Sequence, residues 1–164
     1  MIDSEDIIIS VTNYLTEIID GKSRINNAID LVNSEKGDTL LPNVTNDVVL
    51  GQRLQEIDTL KNGRINLDIV GETKFKTNYN SLVKYYNIEL SYIIKEDFTS
   101  NVFKRSLRME RVFTDVMQDY FENNQIAGFI GGEIESSFTP ERVLLGNSGF
   151  KAIKSGVVYN FILH

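Results

Sequence analysis

The sequence predicts an α+β domain. It has a mostly antiparallel sheet of about four strands, an N-terminal helix and a long central helix packed on one face, and an extended loop or arm. Three observations predict this class. Residues 98–122 have helical periodicity, residues 4–20 have it too, and further stretches alternate apolar and polar side chains. A length of 164 residues suits a single domain covering 1–164.

Composition and charge narrow the function classes. Hydrophobic residues make up 41% of the chain and charged residues 24%, which is typical of a globular protein. A net charge of −6 argues against a dedicated nucleic-acid binder, which is usually basic. The acidic N-terminus does not resemble a signal peptide, and no apolar run is long enough for a transmembrane helix, so we expect cytosolic synthesis and no membrane contact.

The first predicted helix covers residues 4–20. Ser4 is the expected N-cap, and Gly21 suits the position just past the C-terminus. The apolar side chains follow the spacing of three and four residues that places them on one helical face. They are Ile7, Ile8, Val11, Tyr14, Leu15, Ile18 and Ile19.

Residues 22–62 are interpreted as an arm or insertion. Apolar residues at spacings of three and four predict a short second helix, opened by Ser23 and ended before Gly37. Residues 40–46 are predicted to form a loop, with Pro42 as a stop, and residues 47–60 have no decisive period. A long irregular segment in a compact domain is either functional or disordered, so we expect an extended loop here.

Two strands are predicted after Asn62-Gly63, a dipeptide typical of tight turns. The first alternates from Ile65 to Ile69, bends at Gly71 and resumes through residues 73–77. A turn is expected from Asn78 to Leu82. The second strand alternates over residues 86–94.

The central helix is the most strongly periodic element. Thr99 or Ser100 is the expected cap. One face combines Val102, Met109, Val112, Phe113, Val116 and Tyr120, and Phe103, Leu107, Met117 and Phe121 widen it.

Two more strands complete the predicted sheet. Residues 126–137 predict a strand weakened by Gly128, Gly131 and Gly132, with a bend or bulge at these glycines. Turns are expected at 139–141 and 146–149. Alternation over residues 157–163 predicts the last strand, and both strand pairs should be antiparallel.

Residues that carry common catalytic chemistry are scarce. The chain lacks cysteine, and its one histidine is His164, which we expect to be solvated. Thiol, Ser–His and histidine-based zinc chemistry are therefore excluded. Glu133 and Glu135 share a strand face and are most simply solvent-facing, although a carboxylate pair of the glycosidase type stays open. We predict no catalytic, cofactor-binding or metal-binding residues and no enzymatic activity.

The central helix also carries a basic edge, formed by Lys104, Arg105, Arg108 and Arg111. Lys104, Arg108 and Arg111 follow the i, i+4, i+7 spacing and so line one side of the helix. One interpretation is a solvated edge whose members pair with Glu110, Asp115 or carboxylates of the strands. The other is a contact between subunits, or a stripe facing phosphates. All four are candidate subunit-contact residues.

The second half of the chain resembles a known family. A strand at 88–94 precedes an acidic turn, an arginine-rich helix start at 105–113 and a closing strand at 157–163. This order resembles the tail-terminator and neck (head–tail connector) proteins of tailed bacteriophages. The resemblance covers roughly residues 5–20 and 64–163, and the long excursion at 22–62 departs from the shortest versions of the family.

The resemblance implies a structural virion protein without catalysis. Such proteins form rings, usually hexameric, that cap the tail tube and join it to the head connector. Assembly in the host cytoplasm, a virion location and passing contact with DNA in the lumen would follow. Expected contact surfaces are the arm in the 40s and 50s, the basic edge, the loop from Gly146 to Lys154, and a free sheet edge at 150–163.

Two alternatives from other classes stay open. One is a cytosolic bacterial α+β domain that binds a ligand or regulates, without catalysis. The other is a small hydrolase that uses carboxylates.

Overall fold

The computed structural model describes residues 3–44, 48–50, 62–70, 74–78, 81–97, 99–123, 129–145 and 150–163. Within these ranges the chain has three helices and eight strands and belongs to the α+β class, as predicted. The helices are α1 (Ser4–Thr16), α2 (Arg24–Lys36) and α3 (Ser100–Asn123). The strands are β1 (Ile18–Ile19), β2 (Lys22–Ser23), β3 (Val48–Leu50), β4 (Arg64–Ile69), β5 (Lys74–Asn78), β6 (Ser81–Lys95), β7 (Phe129–Leu145) and β8 (Phe150–Leu163).

The main sheet contains the four predicted strands and places them in the order β4-β6-β8-β7, with every neighbouring pair antiparallel. Strand β3 adds a parallel edge beside β4. Strands β4 and β5 pair with successive parts of the same edge of β6, so the predicted interrupted strand is confirmed. Gly71, its predicted bend, lies outside the described residues. The predicted turn at 78–82 is too long, because Asn78 pairs with Ser81.

Strand β8 is an interior strand, and the prediction of a free sheet edge at 150–163 is wrong. Its two edges are occupied by β6 and β7. The predicted turn at 139–141 is also wrong, since these residues belong to β7, where the register shifts between Phe138 and Glu141. The loop residues 146–149, the start of the predicted strand at 126–128, and His164 lie outside the described residues.

Helix α1 is shorter than predicted. Its N-cap is Asp3 rather than Ser4, because Asp3 and Asp6 form a capping box with reciprocal backbone-to-carboxylate hydrogen bonds of 3.0 and 3.1 Å. The helix ends at Thr16, and the next residues form the short β1–β2 hairpin. Gly21, at φ 85°, lies in the turn of that hairpin instead of ending the helix.

The described part of the predicted arm is packed rather than extended. Helix α2 confirms the expected cap and stop, since Ser23 accepts a hydrogen bond from the Asn26 amide and Gly37 is left-handed at φ 71°. Residues on α2 and on the following loop belong to the hydrophobic core, namely Ile25, Ile29, Val32, Leu41 and Val44. Residues 45–47 and 51–61 of the same segment lie outside the described residues.

Helix α3 packs its predicted apolar face against the sheet. All six residues of the expected face are buried, and Met117 is buried beside them. Phe103 and Leu107 were wrongly assigned to this face, since they are 36% and 54% exposed. Ser106 is buried in their place, and its carbonyl accepts a 3.4 Å hydrogen bond from Ser155 on β8.

An aromatic cluster joins α3 to the sheet at the C-terminal end of the helix. The Phe121 ring lies 5.1 Å from Phe161 and 5.7 Å from Tyr159, measured between centroids. Gly132 on β7 permits this arrangement, because a Cβ there would overlap the Phe121 ring. The glycine-rich part of β7 also contains a register shift between Phe129 and Gly131, which confirms the predicted irregularity.

Candidate interaction surface on helix α3

The basic edge of α3 faces α2 and the loop that follows it. Arg105 Nε donates to the Leu40 carbonyl at 2.9 Å. Arg108 donates to Asn33 Oδ1 at 3.0 Å and binds both carboxylate oxygens of Asp38. These bonds tie the start of α3 to the chain segment that follows α2.

Arg111 is held from two sides. It forms an ion pair with Glu35 on α2 and another, at 3.6 Å, with Asp115 one turn along α3. The predicted partner Asp115 is therefore confirmed, whereas Glu35 on α2 and Asp38 after it were missed. Three of the four candidate contact residues thus join α3 to its own chain, and their role towards a neighbouring subunit stays a prediction.

Two asparagines of α2 hold the 38–44 loop in place. Asn33 Nδ2 donates to the Leu41 carbonyl at 2.7 Å, and Asn33 Oδ1 accepts from the Leu41 amide at 3.2 Å. Asn26 makes the same pair of bonds with Val44, at 3.0 and 2.9 Å. Both asparagine side chains are buried. They supply hydrogen-bond partners to the backbone amides and carbonyls of Leu41 and Val44, which would otherwise be buried without partners.

The end of α2 suits cationic partners. Carbonyls at a helix C-terminus carry partial negative charge, and Glu35 and Asp38 add full charges beside them. The Arg108 hydrogen bond, assisted by the Leu40 amide, lowers the pKa of Asp38 to about 2. The Asp38 carboxyl therefore stays ionised at neutral and mildly acidic pH. Its bonds to Arg108 on α3 are kept over the same pH range.

A groove opens beside this link, on the outer side of α2 and α3. Its volume is about 330 Å³. It is lined by Lys36, Leu40, Lys104, Leu107, Arg108 and Arg111, and we call it the basic groove. Within the described part of the chain, Lys36 and Lys104 make no ion pair. The charge of Lys36 acts on Asp38 and helps to lower its pKa, whereas that of Lys104 is available to a partner.

A scan against protein-family models finds no family that matches this chain, and a search of the curated proteins finds no match either. The geometry therefore carries the functional interpretation. Among the described residues, no helix combines the length and the apolar character needed to cross a membrane.

A second cavity, of about 310 Å³, lies between the C-terminal half of α3 and strands β7 and β8. Its polar lining includes Thr114, Gln118, Glu122, Glu133 and Tyr159. Glu133 is exposed, as expected from the sequence, whereas the side chain of Glu135 lies outside the described residues. In the described ranges, no three histidine, aspartate or glutamate side chains are grouped so as to hold a metal ion.

Proposed function

We propose that this chain is a structural virion protein of the tail-terminator or neck type. It forms a ring, six-membered as in the proteins it resembles, that caps the tail tube and joins it to the head–tail connector. The order of a leading helix, a largely antiparallel sheet and a long helix packed on that sheet fits the layout of this family.

The observation that carries the proposal is the outer edge of β7. This strand has 17 residues, and among the described residues no strand pairs with its outer side. Open edges of this length invite pairing with another chain, and a closed ring of copies pairs or covers them. The register shifts divide β7 into shorter stretches, of which residues 131–134 and 141–145 are long enough for a few hydrogen bonds with a neighbour.

The charge of the chain is compatible with a ring around passing DNA. A net charge of −6 favours a lumen that repels phosphates rather than gripping them. We therefore expect duplex DNA to bind weakly or not at all, with assembly in the host cytoplasm and a final location at the neck of the virion.

Association is the test of this proposal. Light scattering after size exclusion, and native mass spectrometry, should give six times the subunit mass of 18.7 kDa, and electron microscopy should give rings with a central hole. A monomer at every concentration, or an open polymer without rings, would contradict it.

The cavity between α3, β7 and β8 favours one alternative, a cytosolic domain that binds a small ligand. Its volume of about 310 Å³ is at the lower end of the range in which ligand pockets occur. A thermal-shift screen with small polar metabolites tests this alternative. A stabilising ligand whose effect is abolished by Gln118→Ala, in a protein that stays monomeric, would replace the ring proposal.

A further inference from the structure

The basic groove surrounds an exposed apolar side chain. Leu107 is 54% exposed, although leucine on a helix usually faces the core. Lys104 lies one turn before it and Arg111 one turn after it on the same side of α3. Carboxylates pair with Arg111, whereas none among the described residues pairs with Lys104 or Lys36. The groove therefore offers a hydrophobic contact flanked by positive charge.

The start of α1 has the complementary pattern. Ile9 is 48% exposed, and Glu5 and Asp6 lie four and three residues before it, both exposed. Asp3, also exposed, adds a third carboxylate at the helix start. We call Asp3, Glu5, Asp6 and Ile9 the acidic patch. It offers an apolar side chain flanked by carboxylates, as the groove offers one flanked by ammonium groups.

The two surfaces lie towards opposite ends of the sheet. The hydroxyl of Ser10, the residue after Ile9, lies 3.0 Å from the Tyr120 hydroxyl, and the Tyr120 ring packs against Phe161. Because Phe161 pairs with Tyr86, this part of α1 lies at the level of Tyr86.

The groove lies near the start of α3, which follows the other end of the same strand at Lys95. The Ser106 carbonyl, beside the groove residues of α3, accepts a hydrogen bond from Ser155 on β8, whose register partner on β6 is Tyr92. Tyr92 and Tyr86 are roughly 20 Å apart along β6, so the groove and the patch lie at different levels of the sheet.

We propose that the basic groove of one copy binds the acidic patch of a second copy. In the ring, each copy uses its groove towards one neighbour and its patch towards the other, so the contact there is heterologous. Such contacts generate rings when the rotation closes and filaments when it does not. This inference rests on the proposed self-association and specifies which residues make it.

Charge reversal at each surface tests the contact. Lys104→Glu places a carboxylate against the patch, and Glu5→Lys places an ammonium group against the groove. Each variant alone should associate about tenfold more weakly than the unmodified protein, measured by sedimentation velocity at low salt. Neither side chain has a hydrogen bond or an ion pair in the described part of the chain, so both variants should fold.

Mixing the two variants gives the sharper result. In the mixture, the reversed groove of the Lys104→Glu copy can bind the reversed patch of the Glu5→Lys copy. The two remaining surfaces, an unmodified groove and an unmodified patch, can bind each other as before. Copies of the two variants would then alternate around the ring, and association should return to within about threefold of the unmodified protein.

Charge reversals elsewhere on the surface are the matched controls. Glu122→Lys makes the same charge change as Glu5→Lys, and Lys22→Glu makes the same change as Lys104→Glu. The first control removes an exposed hydrogen bond from Gln118, and the second removes the bonds of Lys22 to Asp30 and Asn43. The side chains of the Lys22–Asp30 ion pair are both nearly half exposed, so both controls should fold. Both controls should leave association unchanged.

The outcomes separate this inference from the proposed function. Rings that survive both reversals overturn the groove–patch contact and leave the ring proposal intact. Rescue by mixing without closed rings supports the contact and overturns the ring. A monomeric unmodified protein at concentrations up to about 1 mM overturns both. Loss of association in each variant without rescue on mixing also overturns the groove–patch contact, because it places the two residues in separate interfaces.

Discussion

Removal of the Asn33 side chain tests the link between α2, the 38–44 loop and α3. In Asn33→Ala, the Leu41 amide and carbonyl lose the partners that lie 3.2 and 2.7 Å away, and Arg108 loses one of its acceptors. Leu41 is 1% exposed, so water does not reach these groups without local opening. An unpaired buried backbone group costs about 1–3 kcal/mol, which gives about 2–4 kcal/mol for the variant after partial relaxation.

Urea denaturation followed by circular dichroism measures this loss. The midpoint should fall while the m-value stays constant, since the change removes bonds and little apolar area. Asn13→Ala is the matched control, because Asn13 lies on the exposed face of α1 and should change the free energy of unfolding by less than about 0.5 kcal/mol. If Asn33→Ala behaves like this control, the loop does not depend on the asparagine, and the reasoning is refuted.

Three further predictions concern backbone strain and pH. Gly63→Ala should lower the free energy of unfolding by more than about 3 kcal/mol, because Gly63 has φ 86° and a Cβ there would overlap the buried Tyr92 ring. Gly37 has φ 71° but faces open space, so Gly37→Ala should lower the free energy of unfolding by only about 1 kcal/mol. Burial raises the pKa of Tyr120 to about 12, so its contribution to the stability of the fold is complete below pH 10 and should fall as the pH rises towards 12. Absorbance titration at 295 nm should show that this tyrosine ionises at a higher pH than a free tyrosine. The pKa of Asp38 is lowered to about 2, so its contribution to stability is present above about pH 4 and should disappear as the pH falls towards 2. If Asp38→Asn and the unmodified protein have the same acid unfolding profile, this prediction is wrong.

The long periodic elements could be predicted from the sequence because burial on one face imposes their pattern. The buried face of α3 and the alternation along β6 and β8 follow directly from packing between helix and sheet. The predicted ends of the helices were less accurate. The start of α1 depends on the reciprocal bonds of Asp3 and Asp6, in which an aspartate takes the place of the usual glutamate or glutamine. Its end depends on a two-residue hairpin too short to show alternation.

The candidate surface was only half visible in the sequence. The spacing of the basic residues was correctly recognised, but their acceptors on α2 and the following loop lie 65 to 76 positions earlier in the chain, where no local pattern indicates a contact. The segment after α2 looked irregular because its backbone bonds are made by Asn26 and Asn33 rather than by a regular element. These asparagines are seven residues apart on the face that also carries Ile29. Polar residues repeating on an apolar face were the signal that could have indicated a tethered loop.

The intrachain links change which residue can test an intersubunit contact. Charge reversal at Arg108 would place a carboxylate against Asp38 and Asn33, so the loop would loosen whether or not a neighbour binds there. A loss of assembly in that variant would therefore have two explanations. Lys104 is exposed, lines the same groove and has no intrachain ion pair among the described residues. Its reversal changes the charge that a neighbour meets and removes no bond of the α2–α3 link, so an effect on assembly at unchanged stability points to the contact itself.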